Sequence, residues 1–214
     1  MDKKRRENTS LKTKVITSRP TGSLASFYQL TNSYEQCGIT SKKFRFIEAY
    51  GIGHIESYQF DGLYISIVDV LLKKDIIIRG RVDGNFLEIS FLIEGEQIIK
   101  VDGRVNDLVY ESQESYLVYL SDVFGSIAYH KRKHLKEIKI RMDNSFIKRH
   151  RLNEEFTIFN TYSIKGMRNT FTQPLCPKAQ EILSEILVDT KKGLLKRLFL
   201  ESKILELITL KLTT

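Results

Sequence analysis

The stretch FLEISFLIEGEQIIKVDG, residues 86–103, is the part of the sequence that most clearly indicates the fold class. In its first half, apolar residues alternate with Glu88, Ser90 and Leu92, which is the two-residue period of a strand. Gly95 and Gly103 each follow an acidic residue and tolerate positive φ, as tight antiparallel turns require. The stretch FLEISFLIEGEQIIKV, residues 86–101, is therefore predicted to form a β-hairpin.

The same pattern of short β-prone runs separated by turn residues extends on both sides of this stretch, from about residue 44 to residue 142. The dipeptides Asp61-Gly62 and Asp83-Gly84 add further turn signals. Short β-prone runs lie between the turns: FRFIEAYG, GHIESYQF, LYISIVDVLL, DIIIRGR, DLVYES, SYLVYLSD, SIAYHK and LKEIKIRM. Many short strands at this spacing, without intervening helices, predict an antiparallel β-sandwich or β-barrel.

The flanking segments predict a basic arm and several helices. Residues 1–22 are polar and basic and are expected to form a flexible arm. Residues 24–37 predict a short helix that Gly38 ends. In residues 143–214, SFIKRHR predicts a short helix capped by Asn144 or Ser145, and PKAQEILSEILVDTKK a helix with proline at its first position. The expected fold is mostly β, followed by a C-terminal α-helical hairpin.

The last helix, GLLKRLFLESKILELITLKL at 193–212, is apolar on more than one side. At about 100° per residue, one stripe contains the apolar residues Leu194, Leu198, Leu205, Ile208 and Leu212, with Glu201 interrupting it. A helix that packs against its own domain alone needs one apolar stripe. The excess predicts a second contact, with the preceding helix, a second copy of the chain or a following domain. The alternative is that the two helices and the barrel wall cover all of it.

The net charge of +8 is confined to two segments. Residues 2–20 contain seven basic and two acidic residues, and residues 131–151 contain nine and two, so the remainder of the chain is net acidic. This distribution favours a solvated arm and a solvated strand-and-helix surface. Direct nucleic-acid binding through 1–20 and 131–151 is the alternative.

Composition indicates a cytoplasmic protein with no membrane partner. The sequence has no apolar run near the ~20 residues of a transmembrane helix, and its charged N-terminus is not followed by the apolar core of a secretory signal. Cys37 and Cys176 lack metal-ligand spacing and predict a reducing environment.

No catalytic, metal-binding or cofactor-binding motif is recognisable. His54 lacks a second histidine at ligand spacing, and His130 and His134 lie among cationic neighbours that disfavour a metal ion. GIGH lacks the residues of a phosphate-binding loop. We therefore predict a protein that is not an enzyme.

Two charged residues within the β region are candidate ligand anchors. Asp69 shares a strand face with Leu63, Ile65 and Ile67, so its carboxylate is predicted to lie among apolar groups and to need a partner. Arg79, on the face of Ile77, is the candidate partner, or it binds an acidic ligand. Alternatively, Asp69 lies at a strand end and reaches water.

The pattern Gly193-x-x-Lys-Arg-Leu-Phe-Leu-Glu-x-Lys-x-x-Glu-Leu207 resembles the end of the regulatory domain of AraC-type transcription regulators, and most closely the siderophore-regulator-like branch common in bacteria. GIGHIESYQF, FLEISFLIEGEQIIKVDG and IKIRMDNSFIKRH precede it in the same order. The resemblance implies that residues 44–142 form a cupin-like barrel that binds an unknown small-molecule effector. It further implies a homodimer through residues 194–212, at Leu194, Leu198, Glu201, Leu205, Ile208 and Leu212.

In these regulators a linker and a DNA-binding domain with two helix-turn-helix motifs follow the helices. The resemblance thus implies that DNA is bound through a domain outside the present sequence, either trimmed from it or naturally lacking. A metal-free cupin enzyme of the isomerase or epimerase type is the alternative function.

Overall fold

The computed structural model describes residues 16–17, 26–156, 162–166 and 171–213 of the 214-residue chain. Its strands are β1 (Ile16–Thr17), β2 (Tyr28–Gln36), β3 (Ile39–Phe46), β4 (Gly51–Phe60), β5 (Leu63–Leu72), β6 (Ile76–Glu94), β7 (Glu96–Val101), β8 (Leu108–Glu111), β9 (Glu114–Tyr129), β10 (His134–Asp143) and β11 (Thr172–Pro174). Its helices are α1 (Asn144–Arg149), α2 (Leu152–Glu155), α3 (Pro177–Val188) and α4 (Gly193–Leu212).

The described strands form one sheet in the order β2-β3-β4-β5-β10-β6-β9-β7-β8. β1 lies parallel to β6, β11 pairs with β9, and the other pairings are antiparallel. The prediction of a mostly β fold with C-terminal helices is confirmed. Of the predicted arm, residues 1–22, Ile16–Thr17 pair with Ile78 and Arg79 of β6; the rest lies outside the described residues.

The sheet is rolled, so that its two faces have different surroundings. On the inner face, side chains from opposite ends of the strand order, such as Phe46 on β3 and Leu108 on β8, join one apolar cluster. On the outer face, apolar residues of β5, β6 and β10 pack under α1, α3 and α4. A sheet rolled on itself with helices on its outside has the predicted cupin-like, barrel or jelly-roll architecture, although the sheet of described strands is not closed.

The two longest strands, β6 and β9, bend where the sheet turns over. Their pairing register shifts between Val82 and Asn85, and Gly84 has φ +94°. The predicted turn at Asp83-Gly84 is therefore wrong, because the chain continues through these residues as one irregular strand. A bulge that inserts residues on one strand increases its bend, and glycine at positive φ fits such a site.

The predicted hairpin over 86–101 is also wrong, although both of its strands exist. β6 pairs with β9 and β10, whereas β7 pairs with β8 and β9. Gly95, at φ +116°, changes the direction of the chain, and an added Cβ there would lie 2.9 Å from the carbonyl oxygen of His134. Alternation identifies a strand but does not specify which strand pairs with it.

The predicted helix at 24–37 is wrong, since Tyr28–Gln36 is a strand. Cys37 and Gly38 adopt φ of 53° and 72°, and this two-residue turn joins β2 to β3. β2 is at the edge of the sheet and most of its side chains are exposed, so it lacks the alternation that identifies a half-buried strand. Gly38 marks a hairpin turn instead of a helix end.

The helices begin close to where the sequence places them. Asp143 caps α1, because its Oδ1 accepts from the backbone N–H groups of Ser145 and Phe146 at 2.8 and 3.0 Å. This cap lies one residue before the predicted position. Pro177 occupies the start of α3 as predicted. No helix among residues 26–156, 162–166 and 171–213 is long and apolar enough to cross a membrane.

Candidate functional site

Strand β10 directs three charged side chains into the barrel. Its alternate residues Ile138, Ile140 and Met142 belong to the outer cluster under the helices, so Glu137, Lys139 and Arg141 project to the inner face. Glu137 is 2% exposed, and the Lys139 side chain 16%. Charged groups inside a barrel are costly unless they are paired, so their partners determine what this site can do.

The partners come from the adjacent strand β6 and from β9. The Glu88 carboxylate accepts from the Tyr116 hydroxyl at 2.7 Å and from Arg141 Nε at 2.5 Å. Glu137 accepts from the Ser90 hydroxyl at 2.6 Å and lies 3.2 Å from Lys139 Nζ. Two carboxylates are thus held by two cations and two hydroxyl donors, and the interior is charged but balanced.

These contacts fix the protonation states. Burial raises the pKa of Glu88, but the positive charges of Arg141 and Lys139 and the hydrogen bond from Tyr116 outweigh it, and the pKa is lowered. Burial together with the charge of Glu88 raises the pKa of Tyr116 well above its ordinary value. Glu88 therefore remains an ionised acceptor and Tyr116 a neutral donor across the physiological pH range.

Arg141 retains hydrogen-bonding capacity inside the barrel. Its side chain is 38% exposed although it projects to the inner face. Nε binds Glu88, and neither terminal nitrogen forms a hydrogen bond with another described residue. Tyr64, 36% exposed, pairs with Arg141 across the strands and stacks edge-on against Phe86 at 6.0 Å. A guanidinium whose outer edge is open beside aromatic rings can bind an anionic or carbonyl oxygen.

A second unsatisfied group, Gln97, lies further along the inner face. Gln97 on β7 shares the face of Ile99 and Val101, which belong to the inner cluster, and its strand neighbours are Tyr110 and Tyr129. It is 0% exposed, and neither its amide oxygen nor its amide nitrogen has a hydrogen-bond partner among the described residues. An unpaired buried amide costs about 1–3 kcal/mol, so this side chain is poorly explained by stability alone.

The structure separates the two residues predicted from the sequence as ligand anchors. Asp69 is on the outer face near the end of β5, 36% exposed, and lies 2.7 Å from His134 Nε2 and 3.7 Å from Lys136 Nζ. Arg79 is exposed on the part of β6 that pairs with β9, whereas Asp69 lies opposite β10. Their roles in ligand binding remain predictions, and neither is part of the inner network.

The histidines do not assemble a recognisable metal site. His134 Nδ1 lies 2.5 Å from Glu94, so this ring is held between two carboxylates, and the hydrogen bond with Asp69 is the main cause of its raised pKa. His130 lies 4.0 Å from Asp75 and 3.9 Å from Glu96. Within the ranges that the structure describes, no three His, Cys, Asp or Glu residues are placed to hold a metal ion.

The basic segment 131–151 is not a continuous surface. Lys131, Arg132 and Lys133 are exposed before β10, whereas Lys139 and Arg141 project into the barrel. The interpretation of this segment as one solvated surface is therefore wrong. The alternation of the strand explains the difference, because charge counting along a sequence does not record which face a residue occupies.

The predicted subunit-pairing residues lie on two sides of α4. Leu194 and Leu198 are 50% and 52% exposed, Ile208 is 3% exposed within its own domain, and Glu201, Leu205 and Leu212 are half-buried. The residues that α4 buries against the sheet and α3 form a different stripe: Gly193, Lys196, Leu200, Ile204, Leu207 and Ile208. Leu194, Leu198, Glu201, Leu205 and Leu212 therefore form a partly exposed apolar surface beside it, here called the leucine face.

Sequence reasoning missed Glu88, Gln97 and Arg141, although a signal for two of them was present. Glu137, Lys139 and Arg141 alternate with apolar residues in LKEIKIRM, as Glu88 and Ser90 do in FLEISFLIEG. Recognising them requires knowing that both faces of β6 and β10 are covered, which follows from the rolled sheet and the helices. Gln97 carries no distinguishing local pattern.

Comparison with known proteins identifies the family. The chain matches the family described as the regulatory protein PchR N-terminal domain over residues 52–214. No curated protein sequence matches it. Solved structures with a similar fold include apo ToxT K231A from Vibrio cholerae (14% identity, 66% of this chain and 52% of that chain, TM-score 0.46) and the AraC-like transcriptional activator CuxR (9% identity, 78% and 52%, TM-score 0.39).

A Cupin 2 conserved barrel domain protein from Salinispora arenicola is also similar (8% identity, 65% of this chain and 99% of that chain, TM-score 0.34). These TM-scores are below 0.5, so no functional assignment rests on them. The present chain spans about half the length of the ToxT and CuxR chains, 52% of each. The family match covers more than half of the chain. The chain belongs to the PchR N-terminal domain family, the cupin-like regulatory domains of AraC-type transcription regulators.

Proposed function

We propose that this chain is the effector-sensing and subunit-pairing part of a transcription regulator, with a small polar effector bound inside the barrel and two copies paired through α4. A DNA-binding domain outside the present sequence would then read the operator. Effector binding would act by favouring one arrangement of the paired subunits over another.

The observation that supports the effector site most directly is a buried, unsatisfied amide at Gln97 on the same inner face as the partly exposed guanidinium of Arg141. The open edge of Arg141 offers donors at one end, and the buried amide of Gln97 offers a donor and an acceptor at another. Ligand sites in proteins are typically apolar enclosures with a few polar groups that fix the ligand's orientation. The aromatic and aliphatic inner cluster around these residues has this composition.

The leucine face supports pairing because α4 is held rigidly while this surface remains partly exposed. At the start of α4, Arg197 binds the Asp61 carboxylate and the Cys37 carbonyl oxygen, and Lys196 Nζ lies 2.9 Å from Asp189. Near its end, Lys211 donates to Gln173 at 2.9 Å. A helix fixed by the domain at both ends presents its exposed apolar residues in a constant geometry, as a subunit interface needs.

The effector site is tested by thermal unfolding of the chain against a panel of small organic acids and carbonyl compounds. We expect at least one compound to raise the Tm of the wild type but not of Arg141→Gln or Gln97→Leu. Lys100→Gln, an exposed lysine on β7, is the matched control and should respond as the wild type does. Stabilising compounds that act equally on all four proteins would contradict an effector site at Arg141 and Gln97.

A further inference from the structure

A groove lies between the β2–β3 hairpin and the connection from α3 to α4, outside the barrel and apart from the leucine face. Its floor is the outer face of β3 and β4, with Ser41, Lys43, Glu56 and Tyr58, and its wall is formed by residues 189–192 and Lys196. The cavity measures about 190 Å³. This is below the roughly 300–1,000 Å³ of pockets that enclose drug-sized molecules, so the groove fits a small ligand.

The groove is positively charged. Five lysines line it, against the carboxylates of Glu56 and Asp189: Lys42, Lys43, Lys191, Lys192 and Lys196. Both carboxylates are already engaged. Glu56 accepts from Lys43 at 2.8 Å and from Tyr58 at 2.9 Å, and Asp189 accepts from Lys191 at 2.7 Å and from Lys196 at 2.9 Å.

These contacts keep both carboxylates ionised. Burial raises the pKa of each, but hydrogen bonds from their lysine partners outweigh it and lower the pKa. The five lysines nevertheless exceed the two carboxylates by three positive charges. In the described part of the chain, Lys192 has no carboxylate within ion-pair distance.

The floor of the groove carries an independent sign of a ligand. Ser41 is a buried polar residue, 8% exposed, on the same strand face as Ile39. Its hydroxyl makes no hydrogen bond with another described residue. Because the residue is buried while its hydroxyl lines the groove, the hydroxyl is available to donate to a ligand bound there.

We propose that this groove binds a small oxyanion with two negative charges, of the phosphate or dicarboxylate class. Lys192 and Lys43 provide charge at its edge and the Ser41 hydroxyl donates from the floor. Two negative charges would offset most of the positive excess of the lysines, and charge-assisted hydrogen bonds are the strong kind. Because the wall is the connection that precedes α4, the bound anion would link the β2–β3 hairpin to the start of that helix.

The test is isothermal titration calorimetry of the full chain with inorganic phosphate and, separately, with malonate, at an ionic strength held constant with sodium chloride. We expect saturable binding of at least one of them; binding of phosphate alone assigns a phosphoryl ligand, and of malonate alone a carboxylate ligand. Lys192→Gln and Ser41→Ala should each weaken binding about tenfold, the loss expected for one hydrogen bond to a charged group.

Lys131→Gln is the matched control, because Lys131 is an exposed lysine outside the groove and its replacement changes the net charge by the same amount. It should bind as the wild type does. Unchanged Tm values without ligand would show that the variants fold. Absence of saturable binding by both anions, binding that survives both substitutions, or an equal loss in Lys131→Gln would overturn the proposal. None of these outcomes depends on the barrel or on subunit pairing.

Discussion

Replacing Gln97 with leucine should make the protein more stable. Gln97 is fully buried, its amide has no hydrogen-bond partner, and the inner cluster around it is apolar and aromatic. Leucine has a similar volume and no polar atoms, so Gln97→Leu removes a desolvated amide and leaves no large cavity. Most substitutions at fully buried positions destabilise a protein, which makes the expected sign unusual.

The magnitude follows from the two unpaired ends of the amide. An unsatisfied buried polar group costs about 1–3 kcal/mol, so the free energy of unfolding should rise by about that amount. For a chain of this size, 1 kcal/mol corresponds to about 2–4 °C in Tm. Urea unfolding followed by circular dichroism measures the change, and an unaltered m-value would show that the unfolded state is unaffected.

Ser90→Ala is the matched control inside the same barrel. Ser90 is also 0% exposed, but its hydroxyl donates to Glu137 and accepts from Tyr110. Its loss should lower the free energy of unfolding by about 1–3 kcal/mol, because the buried Glu137 carboxylate loses its hydroxyl donor and the Tyr110 hydroxyl loses an acceptor. If Gln97→Leu were destabilised as much as Ser90→Ala, the Gln97 amide would have a partner in the native state, and the assignment of Gln97 to the effector site would lose its basis.

Three further predictions concern groups outside the barrel. Asp189→Asn should lower the free energy of unfolding by roughly 3–5 kcal/mol, since Lys196, 3% exposed, would lose its buried partner. Hydrogen bonds from Lys191 and Lys196 outweigh burial and lower the pKa of Asp189. The ionised carboxylate therefore stabilises the fold fully above the ordinary pKa near 3.8, and this stabilisation is lost as pH falls through the lowered pKa. Urea unfolding at neutral and acidic pH measures both effects. Asp69→Asn should lower the pKa of His134, because the hydrogen bond with Asp69 raises it; an NMR titration of the imidazole that showed no change would exclude this contact. In the wild type, protonated His134 stabilises the fold below about pH 6.5, and this stabilisation disappears as pH rises through the raised pKa. Gly53→Ala should destabilise the chain or prevent its expression in folded form, because a Cβ would lie 2.1 Å from the Asp69 carbonyl oxygen at a φ of +143°; near wild-type thermal unfolding would contradict this geometry.

The sequence predicts local structure well where alternation or capping chemistry is strong. It predicts poorly which strands pair with each other. The strands of residues 86–101 and the proline at the start of α3 are evident from local pattern. The pairing of β6 with β9 and β10 is set by packing between distant parts of the chain. The Glu94-Gly95 dipeptide predicts a change of direction but does not predict that pairing.

The same distinction applies to the candidate sites. The apolar excess on α4 is a property of one helix, and its exposed part was predictable at Leu194 and Leu198 but not at Ile208, whose burial depends on the position of the sheet. Predicting the inner network of Glu88 and Arg141 requires knowing which face of the sheet becomes the inside of the barrel. The groove at Ser41 and Lys192 joins residues about 150 positions apart, and long-range juxtaposition of this kind has no sequence period.

Sedimentation velocity of the wild-type chain, Leu198→Glu and Val105→Glu tests the proposed subunit pairing most directly. Leu198 is 52% exposed on the leucine face, whereas Val105, 98% exposed in the connection between β7 and β8, does not belong to the apolar cluster around α4 and serves as the matched control. We expect the wild type and Val105→Glu to sediment as dimers at micromolar concentration and Leu198→Glu as a folded monomer, since a charge buried without a partner disrupts an apolar interface. A wild type that remains monomeric, or a dimer that Leu198→Glu leaves intact, would contradict pairing through this face.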